Sequence, residues 1–241
     1  TTSSTSTGCT DPLACNYDST ATVDDGSCEY PTSSTTTITA CDSYTWNGTT
    51  YTTSGTYVET ITAVQTPQVG DFIEGGVVFW IDPTDNAKGL VCDVNDLANS
   101  EWGCFGTNIP GASGLVVGTG AQNTIDIVNA NCSPYTSGNT IAANECANLT
   151  LNGYSDWFLP SRGELNQMCL NKTTINAIAA LNSGSAFTTN WYWSSSEYSY
   201  NNAWHQYFTN GSQVATHKGL SPNGVRAVRA YTVMIGTCDS T

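Results

Sequence analysis

The chain has 241 residues, 39% of them hydrophobic and only 11% charged, and its 20 Asp and Glu against 6 Lys and Arg leave a net charge of -14. A negative surplus of this size repels phosphate backbones and anionic headgroups, which argues against nucleic acid and membrane surfaces as partners. No apolar run approaches the roughly 20 residues that span a bilayer, and the opening TTSSTST is no signal segment, so the chain reads as mature or as a fragment of a longer one.

With so few charges the surface must rest on Thr, Ser and Asn, while seven Trp and 12 Tyr supply the bulk for a core. Such a surface is unusual for a cytosolic enzyme. The cysteines, Cys9, Cys15, Cys28, Cys41, Cys92, Cys104, Cys132, Cys146, Cys169 and Cys238, are even in number and include no CxxC pair. Disulfides in an oxidising, extracellular or cell-surface setting are the expectation. Composition shifts along the chain divide it into a Cys-rich module over 1–31, a Thr-rich module and linker over 32–69, a larger domain over 70–235 and a tail over 236–241.

Ser/Thr tracts at 1–7 and 32–37 read as spacers around GCTDPLACNYDSTATVDDGSCEY, which has almost no aliphatic core. Cys9, Cys15, Cys28 and a bound cation would have to hold its shape. The pattern GCTDP, ACNYD, ATVDDGSC over 8–30 resembles a short acidic repeat of secreted Bacteroidota and marine viral surface proteins, similar to thrombospondin type 3 repeats. That resemblance implies calcium held by Asp11, Asp18, Asp24 and Asp25, with Gly26 permitting the turn. The same aspartates could instead serve only to cap turns.

From 35 onward Thr alternates with Tyr, Trp, Ile and Val, the period of strands with one covered face, and Asn47-Gly48 marks a two-residue hairpin. The stretch CDSYTWNGTTYTTSGTY looks like repeats of giant gliding adhesins, which implies a stalk or spacer. After Thr66-Pro67 the segments GGVVFWI and GLVCDV predict a hairpin across DPTDNAKG. Helices are predicted over 121–130, with Ile125 and Val128 on the apolar stripe, and over 141–149. A helix beginning near Ser161 carries a capping box with Glu164, and another opens at Thr174 and closes near Gly184. YWSSSEY, AWHQYFT, SQVAT and VRAVRAY then predict short strands, giving an α+β domain with a curled antiparallel sheet late in the chain. As sequence neighbours around short loops, Cys92 with Cys104 and Cys132 with Cys146 are the expected bridges, with Cys169 to Cys238 a third, although spacing alone does not fix connectivity.

The motifs DWFLPS, WSSSE and VRAVRA over about 70–232 resemble the Lcl C-terminal domain family. The resemblance implies a C-type-lectin-like fold, related to formylglycine-generating enzymes and to hypervariable receptor-binding proteins of phage. Trp157, Leu159, Trp193, Trp204, Val225 and Val228 should fill the core, and Arg226 or Arg229 should pair with Asp156, Glu164 or Glu197.

Binding chemistry is expected between WSSSE and VRA, at Tyr198, Ser199, Tyr200, Asn201, Asn202, His205, Tyr207, Asn210, Ser212, Gln213, His217 and Lys218. Tyr rings offer flat faces to sugar C–H surfaces, and Asn, Gln and His offer donors and acceptors to hydroxyls. The competing reading is that these polar groups only solvate a sheet. The calcium-bridged sugar motifs of C-type lectins are missing, since Ser221-Pro222-Asn223 lacks the carboxylate. His205 and His217, the only histidines, stand in no nucleophile motif, and Cys169 and Cys238 do not reproduce the spacing of a formylglycine-generating copper site, so no enzymatic activity is expected. The expected function is an adhesin or receptor-binding module for cell-surface glycans or protein receptors, as a homo-oligomer or part of a fibre. The alternative is a structural subunit of an extracellular filament.

Overall fold

The computed structural model describes residues 6–10, 18, 20–26, 35–38, 44–46, 49–51, 55–58, 66–136, 140–188, 190–219 and 223–233. The chain forms two compact units, Thr1–Thr66 with Val233–Thr241, and Pro67–Thr232. Among the described residues no helix is long and apolar enough to cross a membrane.

In the first unit β1 (Thr7–Gly8) pairs in parallel with β2 (Val23–Asp24). β3 (Thr35–Ile38) pairs with β6 (Gly55–Val58), and β4 (Tyr44–Trp46) with β5 (Thr49–Tyr51), both antiparallel. Trp46 stands opposite Thr49, the register that a two-residue connection requires. Asn47 and Gly48 themselves lie outside the described residues, as do Asp11, Cys15, Cys28, Cys41 and Cys238. Cys9 is buried and disulfide-bonded.

The second unit contains β7 (Phe72–Ile73), β8 (Gly76–Asp82), β9 (Asp85–Cys92) and β10 (Leu97–Ser100), then a single helical turn at Pro110–Ser113. Four helices follow, α1 (Gly120–Asn129), α2 (Ala142–Ala147), α3 (Arg162–Leu170) and α4 (Lys172–Leu181). Last come β11 (Trp191–Glu197), β12 (Asn202–Tyr207), β13 (Gln213–His217), β14 (Asn223–Val225) and β15 (Val228–Thr232). They build a four-stranded sheet in the order β15-β9-β8-β7 and a five-stranded one in the order β10-β14-β11-β12-β13. All pairings are antiparallel except β11 with β14.

VRAVRAY is therefore two strands, because the chain leaves one sheet at Arg226-Ala227 and joins the other. Val77, Val78 and Phe79 of β8 are fully buried, which explains the unbroken apolar run. The β8–β9 connection is tighter than DPTDNAKG suggests. Asp82 Oδ1 accepts the Thr84 N–H at 2.8 Å and its hydroxyl at 2.7 Å, closing the turn early and extending β9 back to Asp85.

α3 starts as its capping box predicts: Ser161 Oγ accepts the Glu164 N–H at 3.2 Å, and Glu164 Oε2 accepts the Ser161 N–H at 2.7 Å. The other carboxylate oxygen accepts the N–H groups of Gly118 at 2.8 Å and Gly120 at 3.3 Å. A Cβ on Gly120 would lie 2.1 Å from Glu164 Oε2, so only glycine admits this arrangement. Burial raises the pKa of Glu164, and the N–H bonds oppose that rise. α4 begins at Lys172, two residues before Thr174, sharing Asn171 with the end of α3.

α1 corrects the apolar stripe. Ile125 is 51% exposed, while Ile127 is buried together with Asn123 and Thr124. The inward face carries polar side chains bonded to backbone outside the helix, Asn123 Nδ2 donating to Gly114 O and Thr124 Oγ1 accepting the Leu159 N–H at 3.0 Å, which hydrophobic periodicity does not register.

Trp157, Leu159, Trp193, Val225 and Val228 are buried as expected. Trp204 is not in the core; half-buried, it lies under the Arg162 guanidinium, 4.0 Å from the ring centroid. Arg229 pairs with Asp156 as expected, at 2.7 Å and 3.1 Å, and also with Glu74. Arg226 pairs instead with Asp96 at 2.7 Å.

The expected cysteine pairing is overturned. Cys104 is bonded to Cys132, with Cα atoms 4.9 Å apart, and Cys92, Cys146 and Cys169 are free and buried. Cys92 ends β9 inside the apolar cluster and Cys146 sits on the covered face of α2, so neither reaches its neighbour in sequence. Burial pushes the Cys92 thiol up to about 12 and raises Cys146 and Cys169 as well.

Glu164→Ala removes the acceptor of several backbone N–H groups and is expected to destabilise the domain by about 3 kcal/mol or more, against about 1 kcal/mol for Ser161→Ala. Urea unfolding of both variants checks the difference, and equal effects would contradict the role given to Gly118 and Gly120.

Candidate functional site

At one end of the five-stranded sheet, four segments meet: the β11–β12 connection at 198–201, the end of β13, the loop 101–109 after β10, and 130–136 beyond α1. None of the loops is regular, and buried side chains join backbone groups of neighbouring segments in satisfying their backbones. Glu197, at the end of β11, supplies them to the first loop, both its oxygens lying 3.0 Å from the Ile109 nitrogen. Its charge is matched by Lys218, whose ammonium bonds Glu197, donates to Thr107 O at 2.9 Å and sits 4.5 Å from the centre of the Trp102 ring. The Lys218 carbonyl accepts from Trp102 and Gly103, and its N–H donates to Asn201 O at 3.0 Å. Burial lowers the Lys218 pKa, and the Glu197 hydrogen bond opposes that shift. Lys218, expected on the ligand face, is thus a fully buried clamp.

The other loop is held by buried Glu101, which accepts the N–H of Tyr135 at 2.6 Å and of Thr136 at 3.0 Å, and by the Cys104–Cys132 bridge. Phe105 then stacks on His217 with centroids 4.0 Å apart, and Tyr135 meets Phe105 edge-on at 4.8 Å. Cys104 lies at φ 56°, between Gly103 at 83° and Gly106 at 80°, so the loop curls through left-handed backbone to present Phe105. A cleft of about 430 Å³ runs beside the bridge, lined by Cys104, Phe105, Thr107 and Ala130–Tyr135. Tyr200 holds this loop through its carbonyl, which accepts the Gly106 N–H at 3.0 Å, while the residue stays 57% exposed. Tyr198 is 60% exposed and edge-on to Trp204 at 5.2 Å. Asn201 and Asn202 are half-buried at the same end.

Tyr198, Ser199, Tyr200, Asn201, Asn202 and His217 are therefore brought together above Lys218, whereas His205, Tyr207, Asn210, Ser212 and Gln213 lie elsewhere. His205 is buried on the opposite face of β12, stacked on Trp191 at 4.0 Å and near Trp193 at 5.4 Å, with Nδ1 3.2 Å from Asn223 Nδ2. Tyr207 stacks on Trp191 at 4.9 Å. Asn210 accepts the Ser212 N–H within the β12–β13 turn, and Gln213 bonds Arg162 through both ends of its amide. Phe105 and Tyr135 lie outside the stretch that the motifs singled out. The signal pointing to them is their position beside the two bridged cysteines, Phe105 directly after Cys104 and Tyr135 three residues beyond Cys132.

Among the described residues no group of three His, Cys, Asp or Glu side chains could hold a metal ion. Of the aspartates expected to bind calcium, Asp18 accepts the Thr20 hydroxyl at 2.7 Å and N–H at 2.8 Å through Oδ1, hydrogen bonds that lower its pKa. Asp24 Oδ1 accepts the Gly26 N–H at 3.0 Å, with Gly26 at φ 75°. Asp25 donates its N–H to Gly8 O at 3.3 Å.

The larger unit is thus a disulfide-bearing α+β domain of two sheets, one ending in a braced aromatic loop cluster. The family model of the Lcl C-terminal domain matches residues 84–229, more than half of the chain, and the chain belongs to that family. No curated protein matches it.

Reducing the Cys104–Cys132 bridge, or replacing both residues with Ser, is expected to cost about 2–4 kcal/mol in unfolding free energy. Thiol titration of the native protein should leave Cys92, Cys146 and Cys169 unreacted until denaturant is added. Burial pushes the His205 pKa down to about 4 from 6.5, so between those values the unfolded chain binds more protons than the fold. The stability this neutral imidazole contributes is complete above the upper value and lost as the pH falls through the lower one. The difference in unfolding free energy between the native protein and His205→Gln should shrink by about 1–3 kcal/mol on going from pH 7 to pH 4. A constant difference would rule that linkage out.

Proposed function

We propose that the chain is an extracellular adhesin or receptor-binding module that recognises a glycan or another surface ligand through this loop end of a C-type-lectin-like domain. The observation carrying the reading is that Tyr198 and Tyr200 are 60% and 57% exposed on a connection whose backbone is braced from beneath. Large exposed rings on a fixed backbone lose little entropy on binding, which is how rigid aromatic contacts turn area into affinity. Phe105, Tyr135 and His217 extend the same surface, and Asn201 and Asn202 place donors and acceptors beside it. The disulfide suits an oxidising exterior. The Thr-rich strand pairs of the first unit suit a stalk that joins copies of the chain in a fibre.

Calcium in the first unit belongs to the same proposal and rests on the spacing of Asp11, Asp18, Asp24 and Asp25, two of which already turn one oxygen onto local backbone. A chelator should lower the melting temperature of that unit, and an unchanged melt refutes the claim.

A glycan array probed with the whole chain tests the main reading. Binding should fall at least tenfold in Tyr198→Ala and Tyr200→Ala, whose exposed rings leave thermal stability within about 0.5 kcal/mol of the parent. An array without hits, or attachment indifferent to both substitutions, would end it.

A further inference from the structure

We infer that a cleft at the edge of the four-stranded sheet is a second binding site, built for an uncharged sugar residue and separate from the loop end. It is an open groove of about 480 Å³, lined by Phe72, Gly75, Val94, Asn95, Leu151, Asn152, Tyr154 and Asn182. That volume lies within the roughly 300–1,000 Å³ of small-molecule sites.

The lining is chemically selective. It contains no charged side chain, and it gathers the amides of Asn95, Asn152 and Asn182 from three separate segments. An amide carries both donors and an acceptor, as a hydroxyl does, so amides and hydroxyls satisfy one another. Within the protein these groups are only partly used. Asn182 Nδ2 donates to Ile178 O at 2.9 Å and Asn152 Nδ2 reaches Gly75 O at 3.4 Å. Among the described residues the acceptor oxygens of both, and the amide of Asn95, bond no other protein group; Asn95 and Asn152 are exposed, so these groups are open to a ligand in exchange for water. The aromatic components are Phe72, 41% exposed, and Tyr154. Sugars present a C–H face to such rings while their rim hydroxyls point outward to polar groups.

The cleft is also fixed in shape. Leu151 and Tyr154 exchange backbone hydrogen bonds at 2.9 Å and 3.0 Å across Asn152 and Gly153, both left-handed at φ 53° and 85°. Arg229 lies 3.8 Å from the Tyr154 ring centre, and its guanidinium is held in turn by Asp156 and Glu74. Gly75 makes room for Asn152, whose Nδ2 would be 2.5 Å from a Cβ there. A peptide fits less well, since the bordering edge strand β7 is only two residues long and offers little for strand addition.

The test is NMR titration of the full chain with the methyl glycosides of glucose, galactose, mannose and N-acetylglucosamine, alongside methyl glucuronide and a blocked, uncharged tripeptide. At least one neutral glycoside should shift resonances at 72–75, 94–95, 151–154 and 182, with Kd on the order of millimolar for so small a ligand. Asn95→Ala and Asn152→Gly, the latter keeping the left-handed turn, should each weaken it at least tenfold without changing the fold's spectrum. Tyr200→Ala should leave it unchanged, so failure at the loop end and failure here are read separately. The inference is overturned if no neutral glycoside shifts these residues, if binding survives both substitutions, or if glucuronide or the tripeptide binds as well as the neutral glycosides.

Discussion

A buried ammonium and carboxylate hold the loop end of this domain together. Lys218 is fully buried and Glu197 nearly so, and taking the two charges out of water costs several kcal/mol that their mutual attraction only partly returns. The rest comes from neighbours that would otherwise be unsatisfied. Glu197 receives the Ile109 N–H on both oxygens, Lys218 donates to Thr107 O, and the Trp102 ring covers the ammonium. The pair thereby fixes a loop with no regular backbone hydrogen bonding of its own, from which Phe105 and, through the disulfide, the segment carrying Tyr135 take their positions. Removing either charge alone would strand the other and release the loop.

Glu164 and Glu101 repeat the device elsewhere. Each is a buried carboxylate that gathers backbone N–H groups from a distant irregular segment, Gly118 and Gly120 in one case, Tyr135 and Thr136 in the other. A chain with few charges thus spends several of them inside, as acceptors for loops. Neutral Thr, Ser and Asn are left to face water.

What the sequence reveals follows the reach of the interaction. The Ser161–Glu164 capping box spans three residues and the Trp46–Thr49 pairing spans a two-residue connection, so both can be read locally. The motif tryptophans Trp157 and Trp193 are core, as the bulk of their rings suggests. Trp204 escapes that rule because Arg162, distant in sequence, covers it, and Cys104 escapes its sequence neighbours because α1 brings Cys132 to it. His205 and Lys218 look like ligand residues among Tyr and Asn, yet the alternation of β12 turns His205 inward and Glu197 draws Lys218 down. The aromatic character of the loop end was legible; its membership depended on contacts between segments about a hundred residues apart.

The disposition of the cations restricts which ligands the proposed sites would accept. All six Lys and Arg are engaged internally: Lys88 with Asp85, Arg162 with Trp204 and Gln213, Lys172 with the Phe208 and Thr209 carbonyls, Lys218 with Glu197, Arg226 with Asp96, and Arg229 with Asp156 and Glu74. With a net charge of -14, the long-range field disfavours anions approaching either the loop end or the edge cleft. Steering by opposite charge is therefore a poor source of affinity for an acidic ligand. Stacking on exposed rings and hydrogen bonding to amides remain, both short-ranged and little screened by salt. Contacts of that kind are individually weak, so the proposed attachment would gain most from repeated copies engaging together, which is the physical case for the proposed fibre.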